Sequence, residues 1–200
     1  MNKIIYLYRH GETNLNVEGI TMGQLDGLNT TFTNKGYEQI NLLKEEIKEN
    51  KIEVIYTSDY KRTLDTAKLI NNNLPIFVSK EIRGLNMGKY QGMDFNIFIQ
   101  LPEVKQSFND YSIPFENGES INDLNNRIFN FIIKICNETK YERIAIITHS
   151  AVISNLKSFI SKDNFISLNK CCLLYSNNKL SVIDFVNSKE ENKKIKVLNK

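Results

Sequence analysis

Apolar residues along this chain follow two alternating rhythms. Short β-branched and aromatic runs give way to longer stretches in which apolar positions recur three and four residues apart. The first run, Ile4 to Tyr8, predicts a buried strand. Ile52 to Tyr56, Pro75 to Val78 and Arg143 to Thr148 predict three more. Cys171 to Tyr175 and Leu180 to Val186 predict a last pair, which Ser176-Asn177-Asn178-Lys179 can join as an antiparallel hairpin at the sheet edge. Between these runs, Ile40, Leu42, Leu43 and Ile47 mark a helix capped by Thr33 or Asn34, and Leu64, Ala67, Leu69 and Ile70 one capped by Ser58 or Asp59. Leu124, Ile128, Phe131, Ile132 and Ile135 mark a long helix capped by Ser120, and Ala151 to Ile160 another. Phe95 to Leu101 predicts a short helix before Pro102, and Glu81 to Gln91, with Gly84 and Gly88, a loop. The alternation predicts an α/β fold, a three-layer α/β/α sandwich with a mostly parallel sheet and one antiparallel edge strand.

Composition narrows the class. Two hundred residues fit one domain, 1–200, and 41% hydrophobic with 24% charged residues is ordinary for a soluble globular protein. A net charge of +3, with lysines scattered until the tail, leaves no nucleic-acid footprint. The mixed-charge tail, Lys189 to Lys200, with Ile195, Val197 and Leu198, reads as a frayed end or a short last strand. No segment approaches the ~20 apolar residues of a membrane span. The apolar start runs into Arg9 too soon for a secretory leader. Cys136, Cys171 and Cys172 lack metal-like spacing and sit in apolar runs, as small core residues do. The expectation is a cytoplasmic protein, monomer or homodimer, with no membrane or nucleic-acid partner.

Chemistry gathers where strands stop. The first ends in Arg9-His10-Gly11, the second in Thr57-Ser58-Asp59 followed by Arg62, and the fourth in His149-Ser150. Ligands of open α/β sheets bind at the carboxyl ends of the strands. The chain has two histidines, both immediately after a β-rich run. Two imidazoles and two guanidiniums on one sheet edge make a cationic seat for a phosphoryl group. The same arginines would repel a metal cation, and two histidines without a carboxylate set give too few ligands. The polar loop from Glu12 to Asn34, punctuated by Gly19, Gly23 and Gly27, is longer than structureless loops usually are unless they serve a site.

Arg9-His10-Gly11-Glu12-Thr13 with Asn16 resembles the signature of the histidine phosphatase (phosphoglycerate mutase-like) superfamily. The resemblance continues through Gly23-Gln24-Leu25-Asp26, Thr33-Asn34-Lys35-Gly36 and Tyr56-Thr57-Ser58-Asp59-Tyr60-Lys61-Arg62-Thr63 with Thr66-Ala67. It extends to Gly118-Glu119-Ser120 and Ile147-Thr148-His149, in family order over most of the first 160 residues. It implies that His10 takes the phosphoryl group as phosphohistidine while Arg9, Arg62 and His149 hold the phosphate oxygens. Asn16 would add a hydrogen bond and Gly23 backbone contacts, with Ser58 among the substrate-binding groups. No metal or organic cofactor is implied, and the substrate would be a small phosphorylated metabolite, with a nucleoside-like phosphate such as ribazole phosphate or a sugar phosphate as instances.

The pattern breaks at one place. Relatives carry a glutamate, the acid that protonates the leaving oxygen, four residues before the glycine of a Phe-Gly-x-Trp-Glu-Gly-like segment. Here the segment runs Ile82-Arg83-Gly84-Leu85-Asn86-Met87-Gly88, and the acid position is Gly84. A positioned acid is typically worth ~10²–10⁴ in rate, and aryl phosphates need it least. Glu81 and Glu119 are the candidate substitutes, with Glu12 a third. Ser150 stands where many relatives have glycine after the histidine. The segment 93–117, with Phe95, Phe98, Phe108, Tyr111 and Phe115, reads as a lid over the site or as core packing. The expected activity is a phosphomonoesterase. The alternatives are a phosphoglycerate mutase, whose usual insertion is missing between Gly92 and Gly118, and a weak or inactive phospholigand-binding relative.

Overall fold

The computed structural model describes residues 3–26, 29–161, 170–176 and 179–183. β1 (Lys3–Arg9), β2 (Val54–Thr57), β3 (Ile76–Val78), β4 (Arg143–Thr148), β5 (Lys170–Ser176) and β6 (Lys179–Ile183) form one sheet in the order β3-β2-β4-β1-β5-β6. The first four in that order run parallel. β5 pairs antiparallel with β1, and β6 antiparallel with β5, so β5 alone runs against the other strands; it lies one place in from the edge, and the edge strand β6 has the direction of β1, not the reversed direction expected of it.

The helices are α1 (Asn14–Val17), α2 (Asn34–Glu49), α3 (Lys61–Ile70), α4 (Phe95–Phe98), α5 (Pro102–Asn109), α6 (Ile121–Glu138) and α7 (Ser150–Ser161). Strand β1 reads as an unbroken apolar run because both of its faces are covered. Ile5 and Leu7 pack with Leu124, Ile128 and Ile132 of α6 and with Val152, Ile153 and Leu156 of α7. Tyr6 and Tyr8 pack with Ile40, Leu43 and Ile47 of α2 and with Ala67 and Ile70 of α3. Helices α2, α3 and α6 each bury their three-and-four stripe and leave their polar side to solvent.

Local details depart from expectation where side chains have better partners. Helix α3 begins after Tyr60 with no side-chain cap, because Ser58 and Asp59 are engaged elsewhere. The loop 12–34 contains α1, closed by a capping box in which the Thr13 hydroxyl accepts from the Asn16 amide and the Asn16 side chain accepts from Thr13. Lys80–Ile82 and Gly88–Tyr90 each make a turn of 3-10 helix within the expected loop. Pro102 starts α5 instead of ending structure, since proline suits the first helical position. Of the aromatics in 93–117, Phe98 and Phe115 are fully enclosed in the core on the α6 side, and Phe108 and Tyr111 pack against it. Cys136 is a buried free thiol of that core. The side chains of Cys171 and Cys172, the end of the last predicted strand at 184–186 and the tail 189–200 lie outside the described residues.

Candidate active site

Register brings the predicted groups together. Arg9 of β1 pairs with Thr148 of β4, and Thr57 of β2 pairs with Ile147, so three strands end level. The amide of His10 donates to the Thr148 carbonyl, which sets His10 beside His149. Their ring centroids are 5.5 Å apart. Arg9, His10, Arg62 and His149 all line one cleft of about 760 Å³ at this edge, with Asn16, Gly23, Gly84 and Ser150.

His10 is buried, and its Nδ1 lies 2.8 Å from the Gly11 carbonyl oxygen. A carbonyl only accepts, so Nδ1 carries the proton and Nε2 keeps its lone pair. Burial, with Arg9 and Arg62 nearby, pushes the His10 pKa well below the usual histidine value, so the ring is neutral at pH 7. Gly11 is held in turn by its amide donating to the Thr66 hydroxyl, 3.2 Å away.

His149 has both nitrogens engaged. Arg62 Nη2, which only donates, lies 3.2 Å from Nδ1, so Nε2 is protonated and donates to Ser58 Oγ at 3.0 Å. Ser58 then donates to Thr63 Oγ1 at 2.6 Å, and Thr63 donates to the Tyr60 carbonyl at 2.8 Å. Burial first, and Arg62 next, hold the His149 pKa well below its ordinary range. Ser58 is fully buried behind His149 and does not line the cleft; its hydroxyl meets that ring.

Arg62 is buried, and desolvation lowers its pKa to about 10, leaving it charged. Its Nη1 donates to the Leu25 carbonyl at 2.9 Å and Nη2 to the Gly23 carbonyl at 2.8 Å. Gly23 takes φ +49°, and a Cβ there would stand 2.8 Å from the Leu85 carbonyl oxygen, so only glycine fits this approach. Arg62 Nε is buried without a partner. The Arg9 side chain makes no hydrogen bond among the described residues, its Nε is also buried, and desolvation lowers its pKa. Two desolvated guanidiniums with unused donors are an anion seat. Asn16 reaches the cleft, but its Oδ1 accepts from Thr13 and its Nδ2 lies 3.5 Å from Met22 Sδ.

The candidate acids lie elsewhere. Glu81 is exposed on the 3-10 turn outside the cleft. Glu119 is bound to Arg127 through both oxygens, at 2.8 and 2.9 Å, and accepts from the Asn86 amide. Neither lines the cleft. Glu12 does, tied to Thr33 and Lys35 at 2.9 Å each, and those bonds lower its pKa.

Some groups that build the site carried no recognisable signal. Arg127 of α6 donates to the carbonyls of Glu81, Arg83 and Gly84, fixing the strand of chain that forms the cleft wall. Arg83 pairs with Asp59 and sits 4.8 Å over the Tyr60 ring, with Arg62 at 5.0 Å from the same ring. Only their neighbours in contact reveal these roles.

The sequence profile of the histidine phosphatase superfamily (branch 1) matches residues 5–198. The chain belongs to this superfamily. It is 32% identical over 161 residues to phosphoglycerate mutase-like protein 4 of Arabidopsis thaliana, covering 76% of this chain and 68% of that protein. It is 30% identical over 158 residues to a metal-independent phosphoserine phosphatase of the same plant, covering 74% and 65%. Its fold superposes on a phosphoserine phosphatase mutant from Entamoeba histolytica in complex with phosphoserine, with a TM-score of 0.80 at 20% identity over 94% and 98% of the two chains. In this histidine phosphatase superfamily member, among the described residues no helix is long and apolar enough to cross a membrane.

Proposed function

We propose that the protein is a phosphomonoesterase that passes the phosphoryl group of a small phosphorylated metabolite through Nε2 of His10. The observation that carries this is the His10–Gly11 bond: it leaves a neutral ring with its lone pair on Nε2 beside two arginines with unused donors. Arg9 and Arg62 bind the phosphate oxygens and stabilise the charge that builds during transfer. His149 holds the Arg62 fork in place and fills the space beside the reacting phosphorus. Asn16, once freed from Met22, and the Gly23 backbone complete the rim. Membership of a superfamily whose relatives include phosphatases supports this, as does the cleft geometry.

The wall formed by Phe95, Phe98 and Phe108 faces the leaving group, and segment 93–117 covers it as a lid anchored by Phe98 and Phe115. The setting is the cytoplasm, where a thiol such as Cys136 stays reduced.

The test is turnover of p-nitrophenyl phosphate by wild type and by His10→Ala, with alkali-quenched protein assayed for a base-stable, acid-labile phosphoryl group. Turnover and label that both vanish in the variant establish the role. Binding of vanadate with no turnover in either protein leaves a phospholigand-binding module. Isomerisation of phosphoglycerate that outpaces phosphate release, and depends on added bisphosphoglycerate, replaces the phosphatase with a mutase.

A further inference from the structure

We infer that this cleft is specialised for activated phosphoryl compounds (aryl, enol or acyl phosphates), whose leaving group departs as a stabilised anion without being handed a proton. The inference rests on the phosphatase reading above and adds the class of leaving group. A Cβ placed on Gly84 would lie 3.3 Å from Cγ of His149 and 3.0 Å from the Gly23 carbonyl oxygen. Position 84 is therefore in the wall beside the paired imidazoles, and there the wall is bare backbone. The Gly84 carbonyl is itself taken by Gln24 Nε2 at 3.0 Å and Arg127 Nη2 at 2.8 Å.

The titratable groups that line the cleft are Tyr8, Arg9, His10, Glu12, Lys35, Glu46, Arg62 and His149. His10 is the nucleophile, and the two arginines hold the phosphate. His149 is neutral, with its one N–H given to Ser58. Glu12 is held ionised by Thr33 and Lys35, and Lys35, largely exposed in the first turn of α2, gives one N–H to it. Tyr8 and Glu46 belong to the α2 side of the sheet, whereas Leu85, next to Gly84, packs in the core on the α6 side. Among the described residues, none of these groups pairs a spare proton with a place beside Gly84.

The chemistry balances without one. The Nε2 lone pair of His10 attacks phosphorus, the bond from phosphorus to the leaving oxygen breaks, and its electron pair leaves with that oxygen. Solvent protonates the released anion later. Water then attacks the phosphohistidine, the P–N bond breaks with its pair returning to Nε2, and both protons of the water remain on the released phosphate. A phenol, with a pKa of about 10, is a far better leaving group than an aliphatic alcohol, and the missing acid is typically worth about 10²–10⁴ in rate.

The test measures kcat/KM for aryl phosphates of graded phenol acidity and for phosphoserine as the alkyl case, in wild type, Gly84→Glu and Gly84→Gln. Wild type should fall steeply with leaving-group pKa and turn over phosphoserine at least about 10²-fold more slowly than p-nitrophenyl phosphate. Gly84→Glu should flatten the slope and raise phosphoserine turnover, while Gly84→Gln, which fills the same space without an acidic proton, should not. A flat wild-type slope with turnover still dependent on His10, or equal rescue by the glutamine, overturns the leaving-group assignment alone. A wild type inert on every ester and indistinguishable from His10→Ala overturns the phosphatase reading beneath it. The wild-type slope decides the matter by itself if the glutamate variant does not fold.

Discussion

His10 and His149 meet edge to face, their planes 65° from parallel, beside buried Arg62 and half-buried Arg9. Neither ring can readily accept a second proton there, and the pKa of each is held well below 6.5. The unfolded chain takes up those protons as pH falls through 6.5, while the folded protein resists until lower pH. Stability is thus full above pH 6.5 and declines below it. Denaturant titrations at pH 7.5 and pH 5 should show the loss, with a shallower dependence in His10→Gln. Carboxylates with lowered values, such as Asp59, add their own loss only at more acid pH.

Arg62 joins Gly23, Leu25 and His149 with one planar fork. A lysine cannot reproduce that fork. Arg62→Lys should cut kcat by about 10²–10³ on p-nitrophenyl phosphate, the usual scale for removing one donor to a developing oxyanion. A KM effect with kcat unchanged would show that Arg62 binds the ground state alone.

Ser58 acts through His149. Ser58→Ala removes the acceptor for a buried N–H and should cost about 1–3 kcal/mol of stability. Activity should fall less than in Arg62→Lys, since the guanidinium itself remains. Thermal unfolding and steady-state kinetics on the same preparation separate the two effects.

Two phenylalanines of the 93–117 segment should behave oppositely. Phe115 is 2% exposed and touches Tyr90, Phe98 and Phe108, so Phe115→Ala should cost about 3–5 kcal/mol. Phe95 is 50% exposed at the cleft mouth, and Phe95→Ala should leave stability nearly unchanged while altering KM for ring-bearing substrates.

Much of the site was legible because strand ends announce themselves. Ile4–Tyr8 stops at Arg9-His10, and β4 stops at His149, so the apolar pattern alone placed both imidazoles on one edge. The gap at Gly84 was legible too, as a break in a quoted motif. What was not legible depended on contacts between distant segments. Ser58 reads as an anion ligand until His149 is seen to take its hydroxyl. Glu119 looks like a free carboxylate until Arg127 closes on it. The pattern predicts a short helix over Phe95 to Leu101, before Pro102; α4 ends at Phe98, and Pro102 opens α5, whose Val104 is buried.

Arg127 was invisible for the same reason, as one cation on the polar side of a long helix. Arg127→Leu removes the donor to the carbonyls of Glu81 and Arg83 and to Oε2 of Glu119, and one of the two donors to the Gly84 carbonyl and to Oε1 of Glu119. It should cost about 2–4 kcal/mol and lower the melting temperature by roughly 5–15 °C. A smaller shift would mean that water takes over the clamp.

The pairing of Arg9 with Thr148 has a consequence for how the protein comes alive. The first half of the chain carries Arg9, His10 and Arg62, and His149 becomes their neighbour only when β4, made late in synthesis, slots in beside β1. Slippage by a single residue would turn each ring to the opposite side of the sheet. Catalytic competence is therefore a reporter of correct long-range strand matching: nascent or misaligned chains are silent, and the first detectable turnover during refolding dates the closing of that seam.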